Sequence, residues 1–189
     1  MNYLGHLYFS NNDFDLMICN LYGDHVKGSN FNHYPEKIKQ GIRLHRSIDF
    51  YIDNHPSSLC LKQLLYAELP KVAGIAVDLY FDHLLAKNWQ KFHPQRLTEY
   101  LINFFNHSSL YEFHMKEHFR EFLSQLRRYR WIEHYPSDEG LQKLCEGVSR
   151  KISFENSLIQ APQLFRKYEE QVNEAFYTFM NDARNNFNV

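Results

Sequence analysis

PEKIKQGIRLHRSIDFYIDNHP, residues 35–56, decides how this chain is read. Pro35 suits the first position of a helix, where its missing N–H costs nothing. Ile38, Ile42, His45 and Asp49 then recur at helical spacing and form one stripe. The stripe ends at His55-Pro56, because the residue before a proline avoids the α region. Two isoleucines lead the stripe, so it points inward and carries an imidazole and a carboxylate with it. Asp53 extends the same face. A buried carboxylate is costly unless it is paired or bound to a metal.

The same grammar runs outward in both directions. Asp13 caps a helix passing through Leu16, Cys19, Asn20 and Tyr22 toward Gly28. A helix begins near Pro56 and ends before Pro70. Val72 to Trp89 is the most apolar segment and the most buried. Pro94 opens a helix carrying Leu97, Leu101, Phe104 and Phe105, and Leu110 to Tyr129 is a long amphipathic stretch. Ser137-Asp138-Glu139 is an N-terminal cap with acids in the first turn, where the helix dipole favours them. The last helix spans about Pro162 to Arg184. No run alternates as a strand does, and there is no Asn-Gly or Asp-Gly hairpin signal. The expectation is an all-α fold, a single-domain helical bundle over residues 1–189 with roughly seven to nine helices.

The chain has 189 residues, a net charge of −1 and 16% aromatics, with 16 Phe and 13 Tyr. That length buries a substantial core. The near-neutral charge excludes the global basic field of a nucleic-acid binder. Basic residues do cluster locally at Arg127, Arg128 and Arg130, then at Arg150 and Lys151. Such clusters attract acidic partners, although each also reads as a solvated helix face. Cys19, Cys60 and Cys145 are widely spaced with no CxxC, which argues against a disulfide scaffold or a structural zinc motif. They read as small apolar residues in a reducing compartment. The N-terminal stretch lacks a basic n-region, and Ser10 to Asp13 interrupts its apolar run, so it does not read as a signal peptide. No run is long enough to span a membrane. A cytoplasmic location is expected.

Metal-ligand chemistry is concentrated in the first half. His45 and Asp49 stand four apart, as do Asp78 and Asp82 in the apolar segment, and helix residues at that spacing lie roughly 5–6 Å apart on one face. Two carboxylates on one buried helix face repel, so either a cation lies between them or one stays protonated. His83 is turned about 100° from Asp82 and serves the site only from another angle. His6 and Asp24 are weak signals singly, but together they bring a nitrogen and an oxygen from two further helices. Such an imidazole and carboxylate set suits Mn²⁺, Fe²⁺ or Zn²⁺, and a carboxylate-rich version leans toward Mn²⁺ or Mg²⁺. A purely structural role predicts instead a His45–Asp49 hydrogen bond with Arg46 nearby, and Asp78 and Asp82 salt-bridged to Arg43 or Arg46. His114 and His118, with Glu117, form an HxxEH string, but Lys116, Arg120 and Glu121 make that helix polar and its face solvated. There is no nucleophile elbow, phosphate loop or dinucleotide fingerprint.

The segments Met1-Asn-Tyr-Leu-Gly-His6-Leu, Gly23-Asp24-His-Val-Lys-Gly28, Gly41-Ile-Arg-Leu-His45-Arg46-Ser-Ile-Asp49, Asp53-Asn54-His-Pro56 and Asp78-Leu-Tyr-Phe-Asp82-His83 resemble the acyl carrier protein phosphodiesterases in order and spacing. Trp89 and Ser149-Arg150 also resemble family positions. The specific part of the resemblance is residues 1–90; beyond them the likeness lies mainly in helical pattern. The resemblance implies an all-helical fold similar to HD-type phosphohydrolases with changed helix order. It implies a divalent metal, typically Mn²⁺, and hydrolysis of the phosphodiester joining 4′-phosphopantetheine to a serine of holo acyl carrier protein. The metal-site residues it implies are His6, Asp24, His45, Asp49, Asp78 and Asp82, with Arg46 and His83 facing the phosphate. Asp24 or Asp49 would orient the attacking water or take its proton. Ser47 departs from the family pattern, where a basic residue follows the arginine, and Gly5 replaces the usual alanine. The first departure weakens the expectation of phosphate contacts near Ser47. Carrier proteins are acidic, so Arg127, Arg128, Arg130, Arg150 and Lys151 would form the docking surface. Other readings of the same residues are an HD-like metal phosphohydrolase acting on a nucleotide or small phosphodiester, a helical protein that holds metal without turnover, and a helical protein with salt-bridged buried acids.

Overall fold

A computed structural model describes residues 1–108 and 115–189. The described residues form α1 (Tyr3–Tyr8), α2 (Phe14–Gly23), α3 (Glu36–Asn54), α4 (Pro56–Leu65), α5 (Ala73–Lys87), α6 (Leu97–Ser108), α7 (Glu117–Tyr129), α8 (Asp138–Ser149), α9 (Ala161–Lys167) and α10 (Glu169–Phe187), with short 3₁₀ turns between some of them and no strand. His114 and the first part of the Leu110–Tyr129 stretch lie outside the described residues. None of the described helices is long and apolar enough to cross a membrane.

The caps follow local chemistry. Asp13 Oδ1 accepts from the Leu16 amide at 2.9 Å, and Ser137 Oγ accepts from Gly140 N at 3.0 Å. Each side chain satisfies a first-turn donor that has no partner within its helix. Pro35 is the residue before α3 and Pro56 opens α4. The expected last helix divides at Tyr168, giving α9 and α10. No glycine or proline marks that break. The contacts there are tertiary: Lys167 and Tyr168 both reach Glu68 Oε1.

α5 is buried along most of its length, from Ala73 to Ala86, and is the axis of the core. α1 packs across both α2 and α5, while α2 lies along α3. The α2–α3 contact is close because two positions lack a side chain. A Cβ on Gly41 would stand 2.3 Å from the Cys19 carbonyl carbon, and one on Gly23 would stand 2.6 Å from His45 Cβ. This approach brings the inward face of α3 against α1.

Cys19 and Cys145 are buried and Cys60 is exposed, and all three are free thiols. Burial pushes both buried thiols up to about 12. At pH 8 an alkylating reagent therefore modifies one thiol, Cys60, in the native protein and three in denaturant. Rapid native labelling of two or three thiols would show that Cys19 or Cys145 is not buried as described.

Candidate metal centre

His6, His45 and Asp49 meet where α1 crosses α3. One ligand atom from each lies within 4.8 Å of the others. The two imidazoles stack with centroids 4.1 Å apart and planes 18° from parallel. His6 Nε2 is 3.2 Å from Asp49 Oδ1, and His45 Nε2 is 3.2 Å from Asp49 Oδ2. Both histidines are buried, at 3% and 8% exposure.

The hydrogen bonds around His6 determine its tautomer. Asn20 Nδ2 donates to the His6 carbonyl at 2.9 Å and to Ser10 Oγ at 3.0 Å. Asn20 Oδ1 must then be the atom facing His6 Nδ1, at 3.0 Å. An amide oxygen only accepts, so Nδ1 carries the ring proton. The lone pair on Nε2 consequently faces two oxygens, the Met1 carbonyl at 3.0 Å and Asp49 Oδ1 at 3.2 Å. Lone pairs facing one another repel unless a proton or a cation lies between them. Burial lowers the His6 pKa to about 4, with His45 adding to the effect and Asp49 opposing it. The ring is therefore neutral at pH 7, and a cation is the species this donor set fits. His45 Nδ1 is also buried without a partner among the described residues. Against the burial that would raise it, hydrogen bonding from His45, 3.2 Å away, lowers the Asp49 carboxyl below the usual range. Two imidazoles and one ionised carboxylate match the ligand chemistry of Mn²⁺, Fe²⁺ or Zn²⁺.

The remaining expected ligands fall in different places. Asp24 is exposed at the end of α2 and lines the same pocket, a cavity of about 370 Å³ that also includes Asp53 and Lys151. Asp78 lines it too, and its Oδ1 accepts from the Met1 amino group at 2.9 Å. Burial raises the Asp78 pKa while that amino group lowers it. Asp82 is not gathered into the group. Its carboxylate accepts from the amides of Asn2 at 3.2 Å, Leu4 at 2.7 Å and Gly5 at 3.0 Å, so it caps α1. Burial pushes it up to about 7, although those amides and the Met1 amino group favour its charged form. Asp82→Asn keeps one acceptor oxygen and turns an NH₂ toward backbone donors. It should cost about 1.5–3 kcal/mol in urea unfolding of protein stripped of metal. An Asp82→Asn variant of unchanged metal-free stability that is no longer stabilised by Mn²⁺ would instead make Asp82 a ligand.

His83 does not line the pocket that holds His6, His45 and Asp49. It is fully buried, with Nδ1 2.6 Å from the Tyr135 carbonyl oxygen and its ring edge-on to Phe165. Arg46 Nη2 donates to the carbonyls of Val26 and Gly28, and its guanidinium lies 4.9 Å from the Phe31 ring, so it holds the 24–31 loop against α3. Asp53 pairs with Lys62 at 2.6 Å. Neither arginine expected of a structural role reaches the α5 acids, since Arg43 pairs with Glu36. The basic residues separate as well. Arg127 and Arg130 border a hollow with Ile102 and Phe105, and Arg130 pairs with Glu133 at 2.6 Å. Arg128 lies over Tyr129, Arg150 reaches Glu146 at 3.5 Å, and Lys151 stands on the metal pocket's wall. His118, exposed on α7, lies 5.0 Å from the His25 ring. Asn20, which orients His6, is the contributor that sequence reading missed. A fully buried asparagine within the apolar stripe of α2 is its signal.

The acyl carrier protein phosphodiesterase family model matches residues 1–183. Proteins named acyl carrier protein phosphodiesterase are similar along most of the chain. The one from Photorhabdus laumondii is 31% identical over 155 residues, covering 80% of this chain and 77% of its own length. Those from Enterobacter sp. and Salmonella paratyphi A are 28% and 26% identical, each covering 80% of this chain and 79% of its own length. No solved structure matches.

Proposed function

Because the chain belongs to the acyl carrier protein phosphodiesterase family, we propose that it is a metal-dependent phosphodiesterase that removes 4′-phosphopantetheine from holo acyl carrier protein and leaves the apo carrier. The observation that carries the metal dependence is the His6 Nε2 lone pair directed at two oxygens beside an ionised carboxylate and a second imidazole. His6, His45 and Asp49 would hold the ion, with Mn²⁺ the best match and Mg²⁺, Fe²⁺ or Zn²⁺ the alternatives. When bound, a divalent ion polarises a phosphoryl oxygen and makes a nearby water more acidic.

The chain's own residues supply the rest. Hydrolysis forms a phosphorus–oxygen bond from water and breaks the one to the carrier serine, whose oxygen leaves with a proton. Asp49 stays ionised and suits holding charge rather than moving protons. Asp24, on the pocket wall, would orient the attacking water and receive its proton. Lys151, on the same wall, is a cation available to the phosphate oxygens, a part Arg46 gives up by binding loop carbonyls. The carrier is acidic, so Arg127, Arg128, Arg130 and Arg150 remain its proposed docking residues. A reducing, cytoplasmic setting suits three free thiols.

The test is Mn²⁺-dependent release of phosphopantetheine from holo carrier, run beside a panel of nucleotides and small phosphodiesters. Release by the wild type is expected. Asp24→Ala should fold and lose more than about 10²-fold of that release. Full turnover by Asp24→Ala would remove Asp24 from the mechanism, and turnover of nucleotides alone would replace the proposed substrate.

A further inference from the structure

A second cavity of about 340 Å³ adjoins the metal pocket and shares Tyr3, Val148 and Lys151 with it. It is at the small end of the roughly 300–1,000 Å³ range for pockets that enclose organic ligands. Its wall is mostly apolar, including Trp131 and Leu144, and lies largely between α8 and the segment carrying Trp131 and Tyr135. Two features fit an absent ligand. Tyr135 lines the groove, is 1% exposed, and its hydroxyl has no hydrogen-bond partner among the described residues. A buried hydroxyl left unpaired costs about 1–3 kcal/mol. Gly147 also lines the groove, and a Cβ built there meets nothing within 4 Å. A glycine inside a helix costs about 1 kcal/mol relative to alanine, and no packing constraint on α8 requires it here.

We infer that this groove is the subsite for the pantetheine arm of the substrate, an apolar chain interrupted by amides. The inference rests on the proposed function. With the phosphorus at the metal pocket, the carrier lies on one side of it and the arm on the other. The arm is the slender part, and the groove shares walls with the pocket that would receive the phosphate. Its gem-dimethyl and methylene groups suit Trp131, Leu144 and Val148, and one of its amides suits the Tyr135 hydroxyl. Lys151, on both walls, stands at the junction where the phosphate meets the arm.

The test fills the groove from Gly147. Gly147→Phe should lower kcat/KM for holo carrier about ten-fold more than for bis(4-nitrophenyl) phosphate, which has no arm. Tyr135→Phe keeps the ring and should shift the same ratio several-fold, chiefly through KM. Retained turnover of bis(4-nitrophenyl) phosphate by Gly147→Phe is the control for folding. Binding is read without turnover: pantetheine, which lacks the phosphate, should move the Trp131 indole NMR signal in the wild type and not in Gly147→Phe. An unchanged substrate ratio in Gly147→Phe, with the wild type releasing phosphopantetheine, would overturn the groove assignment alone. A Trp131 shift with pantetheine in a protein that releases nothing from holo carrier would support the groove and overturn the functional reading. Neither shift nor release would overturn both.

Discussion

Asp49→Asn is expected to lower metal-dependent turnover by more than about 10²-fold while leaving the metal-free fold as stable as the wild type to within about 1 kcal/mol. Losing an outer hydrogen-bonding partner of a metal ligand typically costs 10–100-fold, and losing the ligand itself should exceed that. Asp49 faces both imidazoles, with one oxygen toward each. Asparagine keeps the shape and removes the charge. In the metal-free protein its NH₂ can donate to an imidazole lone pair, so the fold loses little. A ligand that binds only the folded state stabilises it in proportion to RT ln(1 + [L]/Kd), and this gain should vanish in the variant. A His–Asp pair serving stability alone predicts the reverse, a variant that unfolds more easily without metal and retains turnover. Thermal melts with EDTA or Mn²⁺, run beside the activity assay, separate the two.

Gly41→Ala is expected to destabilise the protein by about 3 kcal/mol and lower its melting temperature by roughly 6–12 °C for a chain of this size. The added methyl would stand 2.3 Å from both the carbonyl carbon and Cβ of Cys19, atoms that cannot rotate away. α2 and α3 must separate, which moves the helix carrying His45 and Asp49. Affinity for Mn²⁺ should therefore fall with stability. By contrast, Gly147→Ala in α8 meets open space and should be neutral or stabilising. A Gly41→Ala protein that melts like the wild type would mean that the helices do not approach this closely.

Much of this was legible because it is local. Asp13, Ser137 and the His55-Pro56 break act within a few residues, so their chemistry reads directly from the chain. The His45–Asp49 face was legible for the same reason, as was the buried character of α5. What failed to show was the division of labour among the acids. Asp78 and Asp82 share a helix face and an apolar context, yet one lines the pocket and the other caps α1 across about 80 residues of sequence. No spacing rule reports which backbone amides a distant helix will present. Arg46 and His83 follow the same logic, since the loop carbonyls and the Tyr135 carbonyl that occupy them are tertiary partners. Asn20 matters only because the turn of α1 places His6 beside it.

The proposed chemistry depends on a cation held by His6, His45 and Asp49. Anomalous diffraction from crystals soaked in Mn²⁺ measures this directly. The predicted result is a manganese peak in contact with the Nε2 atoms of His6 and His45 and a carboxylate oxygen of Asp49, absent from Asp49→Asn crystals. A manganese peak elsewhere in an active protein, or turnover that persists after full removal of divalent metal, would contradict it.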